Sequence, residues 1–517
     1  MKRRMRMSFS TVLSAAIEGL SVEFVHVEAD ISNGLPMFHM VGYLSSEVKE
    51  ASERVRTAVR NSGIELPAKK IVINLSPATV KKRGAAFDLP IAAAILASLA
   101  LVPEESLAQA LIIGELSLDG RLREVAGILP VVLAAREAGC HTCILPKANA
   151  AEASLVEGIR IIGAEWLKEV YGYLNGMHGL EQEQYRIPHG PHGPARPQPD
   201  YREIHGQEAV KRAVEVAVAG GHNVLLVGPP GSGKSMIARR IPTILPPLTM
   251  EESLEITKVY SIMGLADKEH PLVAERPYRS VHHTVTRSAL IGGGLIPSPG
   301  EISLAHGGVL FLDELTEFQK PVLEVLRQPL EEKTIRITRK HGSYVFPANF
   351  ILVAALNPCP CGNYPDLERC TCTPGQIQHY LAKISQPFLD RIDICVEAPR
   401  VDYRSLKAED EGESSQTIRE RVCLARERQK KRYHTLGWMA NASLPAKELK
   451  KYCSLGVEEE AVIEQAFERM GLTARTYHKT IRVARTIADL AGADNISAAH
   501  IKEAIGYRMM NKKYWGR

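Results

Sequence analysis

Apolar and polar positions along the first third of the chain follow two different periods. Residues 21–29 alternate, the period of a half-buried strand, whereas 45–62 carry Val48, Ala51, Val55 and Val59 at helical spacing before Gly63 closes the helix. Residues 70–75 read as a strand. Residues 88–101 are apolar on every side and predict a buried helix; 111–118 read as a strand leading into Asp119-Gly120, and 127–139 as a helix bounded by glycines. This segment is α/β or α+β. Residues 186–200 then hold five prolines and two glycines with almost no aliphatic side chains, so they cannot bury a core and predict an extended linker, with His189 and His192 as polar linker residues. Beyond it come a helix after 204–207, short apolar strands at 224–227, 309–312 and 350–356, and a further strand after Arg391. From 413 the pattern is helical: 413–433 with Ile418, Val422 and Ala425 on one face, 457–470, 474–491, and 497–510 capped by Ser497. The expected division is 1–185, a linker at 186–200, a core at 201–400 and a helical region at 401–517.

Composition narrows this reading only a little. The 517 residues, 45% hydrophobic with a net charge of +5, suit several ordinary cores and permit anionic partners without demanding them. No run of about 18 apolar residues predicts a membrane span. The basic opening is followed by alternating residues, unlike a signal peptide, which reads as a cytoplasmic N-terminus. Nine cysteines in so long a chain do not make a disulfide scaffold.

The chemistry is concentrated after strand 224–227. Gly228, Pro229, Pro230, Gly231, Ser232, Gly233, Lys234 and Ser235 fit a phosphate loop between a strand and a helix. Its glycines let backbone N–H groups face a phosphate, Lys234 reaches the β- and γ-phosphates, and Ser235 coordinates magnesium. ATP and Mg²⁺ are the expected cofactors. Strand 309–312 ends in Asp313 and Glu314, a pair whose burial is costly without a cation. Asp313 would hold magnesium, and Glu314 would orient or deprotonate the attacking water. These motifs resemble those of AAA+ ATPases. The resemblance implies that the 204–207 backbone holds adenine, that Asn357 at the end of strand 350–356 is a sensor of the γ-phosphate, and that Arg391 enters the neighbouring subunit's site. It further implies that Arg475, on a helix of the lid, is a second sensor, with Arg482 and Arg485 left as solvated or interface residues. A surface ion pair of Arg391 with Asp390 or Asp393 is the plainer alternative.

Cys359, Cys361, Cys370 and Cys372 form two C-x-C pairs that can fold back into a tetrahedral thiolate site, so a structural zinc beside Asn357 is expected. Cys140 and Cys143 follow a helix rather than open one, which favours buried thiols over a redox pair. Residues 330–346 read as a hairpin whose turn carries Arg339, Lys340, His341, Gly342 and Tyr344. Basic side chains beside an aromatic suit nucleic acid, and a solvated turn fits the spacing equally. With the glycine- and histidine-bearing stretch 276–308, this hairpin resembles the magnesium-chelatase and replicative-helicase branch, in which such elements enter a ring pore.

The stretches around residues 34–63, 73–96 and 114–139 resemble the proteolytic domain of Lon-type proteases. That family pairs a serine nucleophile with a lysine base. Here the first place falls in the stretch around Asp88 and the second around Leu129, and neither partner is present. The whole order resembles the YifB/ComM family of bacterial proteins. It implies an α/β fold with a P-loop AAA+ core, a parallel sheet flanked by helices, between an N-terminal α+β Lon-protease-like domain and a C-terminal helical lid. It also implies a homo-hexameric ATPase that binds single-stranded or branched DNA and drives branch migration in recombination or natural transformation. A protein-remodelling ATPase, a magnesium-chelatase motor subunit and an ATP-dependent protease are the competing readings; the missing Ser/Lys pair opposes the last.

Overall fold

The computed structural model describes residues 8–177, 179–183, 199–294, 297–339, 342–400, 412–437, 440–470 and 473–515. Most of the expected linker, with His189 and His192, lies outside them. The chain divides into two compact units: the first combines 1–192 with Met250–Ala274, the second 193–249 with 275–517.

In the first unit a seven-stranded mixed sheet runs in the order Met37–Val41, Lys70–Ser76, Ser21–Ser32, Ser8–Glu18, Ala110–Ile112, Thr142–Pro146, Arg160–Ala164. The alternation at 8–18 is a strand in full antiparallel register with Ser21–Ser32. Helix Asp88–Ser98 lies on those two strands with all of its residues buried, as its unbroken apolar run requires. Its polar ends are satisfied: Ser98 donates to the Ala29 carbonyl at 2.7 Å, and the Asp88 carboxylate accepts from Arg54 at 2.7 and 3.0 Å. Helix Ala51–Asn61 buries Ala51, Val55, Ala58 and Val59. Helix Ile128–Glu137 starts after Gly127, whose φ of +79° only glycine adopts without strain. Cys140 and Cys143 are buried and burial pushes both thiols up, as inert core residues.

Met250–Ala274 departs from the expected division, which left it inside the core at 201–400. Its helix Met250–Ile262 packs on Ile128–Glu137, and Leu254 and Leu272 join the apolar cluster around Leu129 and Val132.

The second unit is a five-stranded, wholly parallel sheet in the order Tyr278–Val281, Val309–Leu312, Ile351–Leu356, Val224–Val227, Ile394–Glu397. The central strands are buried on both faces, which explains their continuous apolar runs. Helices Glu208–Gly220 and Lys234–Ile244 share an apolar core with Ser415–Arg432 and Ala474–Leu490. Among the described residues, no helix is long and apolar enough to cross a membrane.

Candidate nucleotide site

In a parallel sheet every strand presents its carboxyl end to the same edge, and ligands gather there. Strands Val224–Val227, Val309–Leu312 and Ile351–Leu356 therefore deliver the phosphate loop, Asp313 and Glu314, and Asn357 to one place. Gly228 has no room for a side chain, since a Cβ would sit 2.1 Å from the Ala398 carbonyl oxygen. Gly231 and Gly233 turn the loop at φ +75° and +84°, and Lys234 opens the following helix. Gln207 donates to the carbonyls of Ser232, at 3.1 Å, and Pro399, at 2.5 Å, so the 204–207 segment is tied to the phosphate loop.

Lys234 is buried against the loop it serves. Its ammonium donates to the Gly228 and Pro229 carbonyls at 2.8 and 2.9 Å and lies 3.3 Å from the Asn357 side-chain oxygen. Burial pushes its pKa down to about 8, partly opposed by Asp313. The Ser235 hydroxyl donates to the Asp313 carboxylate at 2.6 Å, so the two expected magnesium ligands meet. This all-oxygen pair fits a hard cation that keeps most of its waters.

Glu314 occupies the left-handed region at φ +52°, which is rare outside glycine and turns its carboxylate out of the strand direction. It faces His283, with Nδ1 3.4 Å from Oε2. The sequence reading missed this pairing. Strand Tyr278–Val281 pairs in register with Val309–Leu312, Val281 opposite Leu312, and so carries His283 alongside Glu314. His282 lies tilted against the His283 ring, centroids 4.0 Å apart, and Phe318 meets it edge-on. A cleft of about 650 Å³ opens beside Glu314 and Asn357, with Tyr380 and Lys383 on its far wall.

Among the described residues Cys359, Cys361, Cys370 and Cys372 form a cluster whose sulfurs all lie within 4.8 Å of one another. Three separations are 3.4, 3.8 and 3.7 Å. Tetrahedral thiolates about 2.3 Å from a zinc ion stand about 3.8 Å apart, so the geometry fits a metal. The Asn363 amide, joined by that of Thr371 and by neighbouring thiols, pulls the Cys361 thiol down to about 6, whereas burial and the neighbouring Cys361 and Cys359 sulfurs hold Cys370 and Cys372 up, so those two would ionise only on meeting a metal. Gly362 beside it rests on the phosphate loop: a Cβ there would come within 2.4 Å of the Pro230 ring.

Comparison with known proteins agrees with this arrangement. The family descriptions "Magnesium chelatase, subunit ChlI", "Subunit ChlI of Mg-chelatase" and "Magnesium chelatase, subunit ChlI C-terminal" match residues 200–406, 27–149 and 412–508. YifB of Salmonella typhimurium is 43% identical over 98% of both chains, and competence protein ComM of Haemophilus influenzae is 42% identical over 98% of both. The chain belongs to the YifB/ComM family of magnesium-chelatase-like proteins. Lon protease 2 of Bacillus subtilis is 27% identical over 33% of this chain and 35% of its own. The family points to an AAA+-type ATPase using ATP and Mg²⁺, which the cluster of Lys234, Ser235, Asp313, Glu314 and Asn357 is equipped to hold.

Other expected residues of this YifB/ComM-family chain lie elsewhere. Arg391 precedes Ile394–Glu397, whose register with Val224–Val227 leaves it at the opposite end of the sheet from the phosphate loop, more than roughly 13 Å along the strands. It is buried, donating to the Arg327 carbonyl at 3.2 Å and pairing with Glu331 at 3.0 Å rather than with Asp390 or Asp393. Arg475 pairs with the same Glu331, not with the phosphate loop. Arg485 is buried against Asp489 and the Ala493 and Asp494 carbonyls, so it is not a solvated residue, and Arg482 is half-buried. The hairpin Thr334–Arg339 and Gly342–Pro347 forms as expected, and its tip, Lys340 and His341, lies outside the described residues. Tyr344 corrects the reading: strand alternation turns it inward with Ile335, Ile337 and Phe346, leaving Arg336 and Arg339 exposed. In the Lon-like unit, Leu129 is fully buried, and Asp88 is committed to Arg54.

Proposed function

We propose that this chain is an ATP-hydrolysing ring motor that binds DNA and drives branch migration or strand exchange. The observation that carries the motor reading is the convergence of Lys234, Ser235, Asp313, Glu314 and Asn357 at one sheet edge. Lys234 and magnesium on Ser235 and Asp313 would hold the phosphates, while Glu314, released from His283, would orient water from the adjoining cleft. Arg391 lies too far from its own chain's phosphate loop to serve it, and in a ring it would serve the next subunit only on leaving Glu331 and the Arg327 carbonyl. Exposed Arg336 and Arg339 on the hairpin support a phosphate-backbone partner, and the likeness to ComM, a competence protein, supports a role in competence. The four-cysteine cluster is read as structural zinc that braces Pro230, and the Lon-like unit as non-proteolytic, because Leu129 offers no base.

The test is the ATPase rate with and without a four-way DNA junction at two salt concentrations, beside Lys234→Ala. The expected result is several-fold stimulation that fades with salt, an inactive variant, and strand displacement from a labelled junction. Hydrolysis indifferent to DNA, with none bound at low salt, refutes the DNA reading and favours a protein substrate.

A further inference from the structure

We propose that Met250–Ala274 transmits the nucleotide state of the ATPase core into the N-terminal unit, entering it at the start of helix Ile128–Glu137. The proposal rests on the ATPase reading above. It gives the N-terminal unit a function, as the body that the motor works on, in place of the peptidase chemistry its residues lack.

At the core end, the roots of this segment are clamped together and fixed to a catalytic strand. The Arg276 guanidinium donates to the carbonyls of Pro246 at 2.6 Å and Pro247 at 3.3 Å, just before the segment, and of Gly307 at 2.7 Å. Pro277 accepts from the Val309 amide at 2.8 Å, and a Cβ on Gly308 would stand 2.0 Å from the Pro277 oxygen, so these backbones cannot separate by a side chain's width. Val309 begins the strand that ends at Asp313 and Glu314. A shift of that strand on binding or losing magnesium-ATP therefore moves the roots with it.

In the N-terminal unit the segment is built into the core. The Gly127 amide donates to the Ser261 carbonyl at 2.9 Å, at the first turn of Ile128–Glu137. The buried Glu152 side chain accepts from the Leu129 amide at 3.0 Å; burial pushes its pKa up, and the Leu129 amide opposes this. The Glu152 side chain thus caps the first turn of this helix from within, beside the segment. Leu254 and Leu272 pack half-buried against the cluster that holds Leu129, and Lys268 pairs with Glu124 at 2.6 Å. Each end of the segment is thus fixed within its own unit, and on this proposal a displacement of the roots is passed along the covalent chain to Ile128–Glu137.

Hydrogen exchange on full-length Glu314→Gln, which should bind ATP without turning it over, tests this directly. Magnesium-ATP is expected to slow exchange in the phosphate loop and to change exchange about threefold or more in peptides covering 128–137 and 250–262. Leu254→Asp is expected to abolish the second effect and keep the first. Arg276→Ala, which loosens the roots without touching the apolar contacts, provides the same comparison if the aspartate variant does not fold. A protected phosphate loop with 128–137 and 250–262 unchanged overturns the transmission and leaves the ATPase reading intact. No protection at the phosphate loop overturns both.

Discussion

The free protein holds Lys234 in a state that nucleotide must change, and this makes ATP affinity depend on pH in a defined direction. Burial against the Gly228 and Pro229 carbonyls pushes the ammonium down to about 8, against about 10.4 for an ordinary lysine. Bound β- and γ-phosphates favour the charged form and raise the pKa again. The bound state therefore holds more protons above pH 8, so affinity falls as pH rises through the free-state value and is flat below it. At pH 9 about a tenth of the free protein carries the charge, against about nine tenths at pH 7, a tenfold loss of affinity or about 1.4 kcal/mol. The terminal phosphate of ATP ionises near pH 6 and contributes little in this window. The assay is titration of Glu314→Gln with a fluorescent ATP analogue at pH 7, 8 and 9, with calorimetry in two buffers of different ionisation heat to count protons taken up. Lys234→Arg, charged throughout, should lose the slope whatever its affinity. A dissociation constant that changes less than about twofold between pH 7 and 9, or no proton uptake at pH 9, refutes the reasoning.

Arg391→Ala should lower hydrolysis about a thousandfold, and mixing it with Lys234→Ala should restore part of the rate, because mixed rings would join an intact phosphate loop to an intact arginine; no recovery on mixing would count against service in trans. Metal analysis should find one zinc per chain, released by Cys359→Ser with a lower melting temperature; a metal-free wild type of unchanged stability would refute the zinc reading. Arg336→Ala with Arg339→Ala should reduce the slope of log affinity against log salt for DNA by about two, whereas Tyr344→Ala should cost stability, about 3 kcal/mol, and not base stacking. His283→Ala should change the turnover rate while leaving ATP affinity within about twofold, and an unchanged turnover would show that the His283 contact with Glu314 is idle.

What the sequence made legible was chemistry confined to a few consecutive residues. The phosphate loop, Asp313-Glu314 and Asn357 each sit at the end of an apolar run, and a parallel sheet brings such ends together. The helix Asp88–Ser98 was readable because a run apolar on every side has one outcome in water. Placement across long separations was not readable. Nothing local in Tyr278–Val281 predicts that His283 will face a carboxylate 31 residues later; that follows from strand order and register. Arg475 looked like a sensor from its place on a lid helix, yet its partner is decided by where Glu331 falls in the core. Tyr344 was assigned to the solvent from its nearness to the turn, and the pleat decides otherwise.

The phosphate loop is gripped by parts of the chain with separate origins. Gln207 holds it at the Ser232 carbonyl, Asn357 reaches Lys234, and Gly362 of the cysteine loop presses on Pro230. None of these contacts needs a nucleotide, so the loop is set in its curved shape before ATP arrives, and less binding energy goes into ordering it. Lys234 is the exception, since its ammonium is turned back onto the loop's own carbonyls and must leave them to meet phosphate. Its release also frees Asn357, 3.3 Å away, to contact the γ-phosphate or its attacking water. On the proposed reading, the held loop and a lysine that turns from its carbonyls to phosphate would make the arrival of phosphate a local switch, and Asn357 continues directly into the cysteine cluster, where a metal would fix its position.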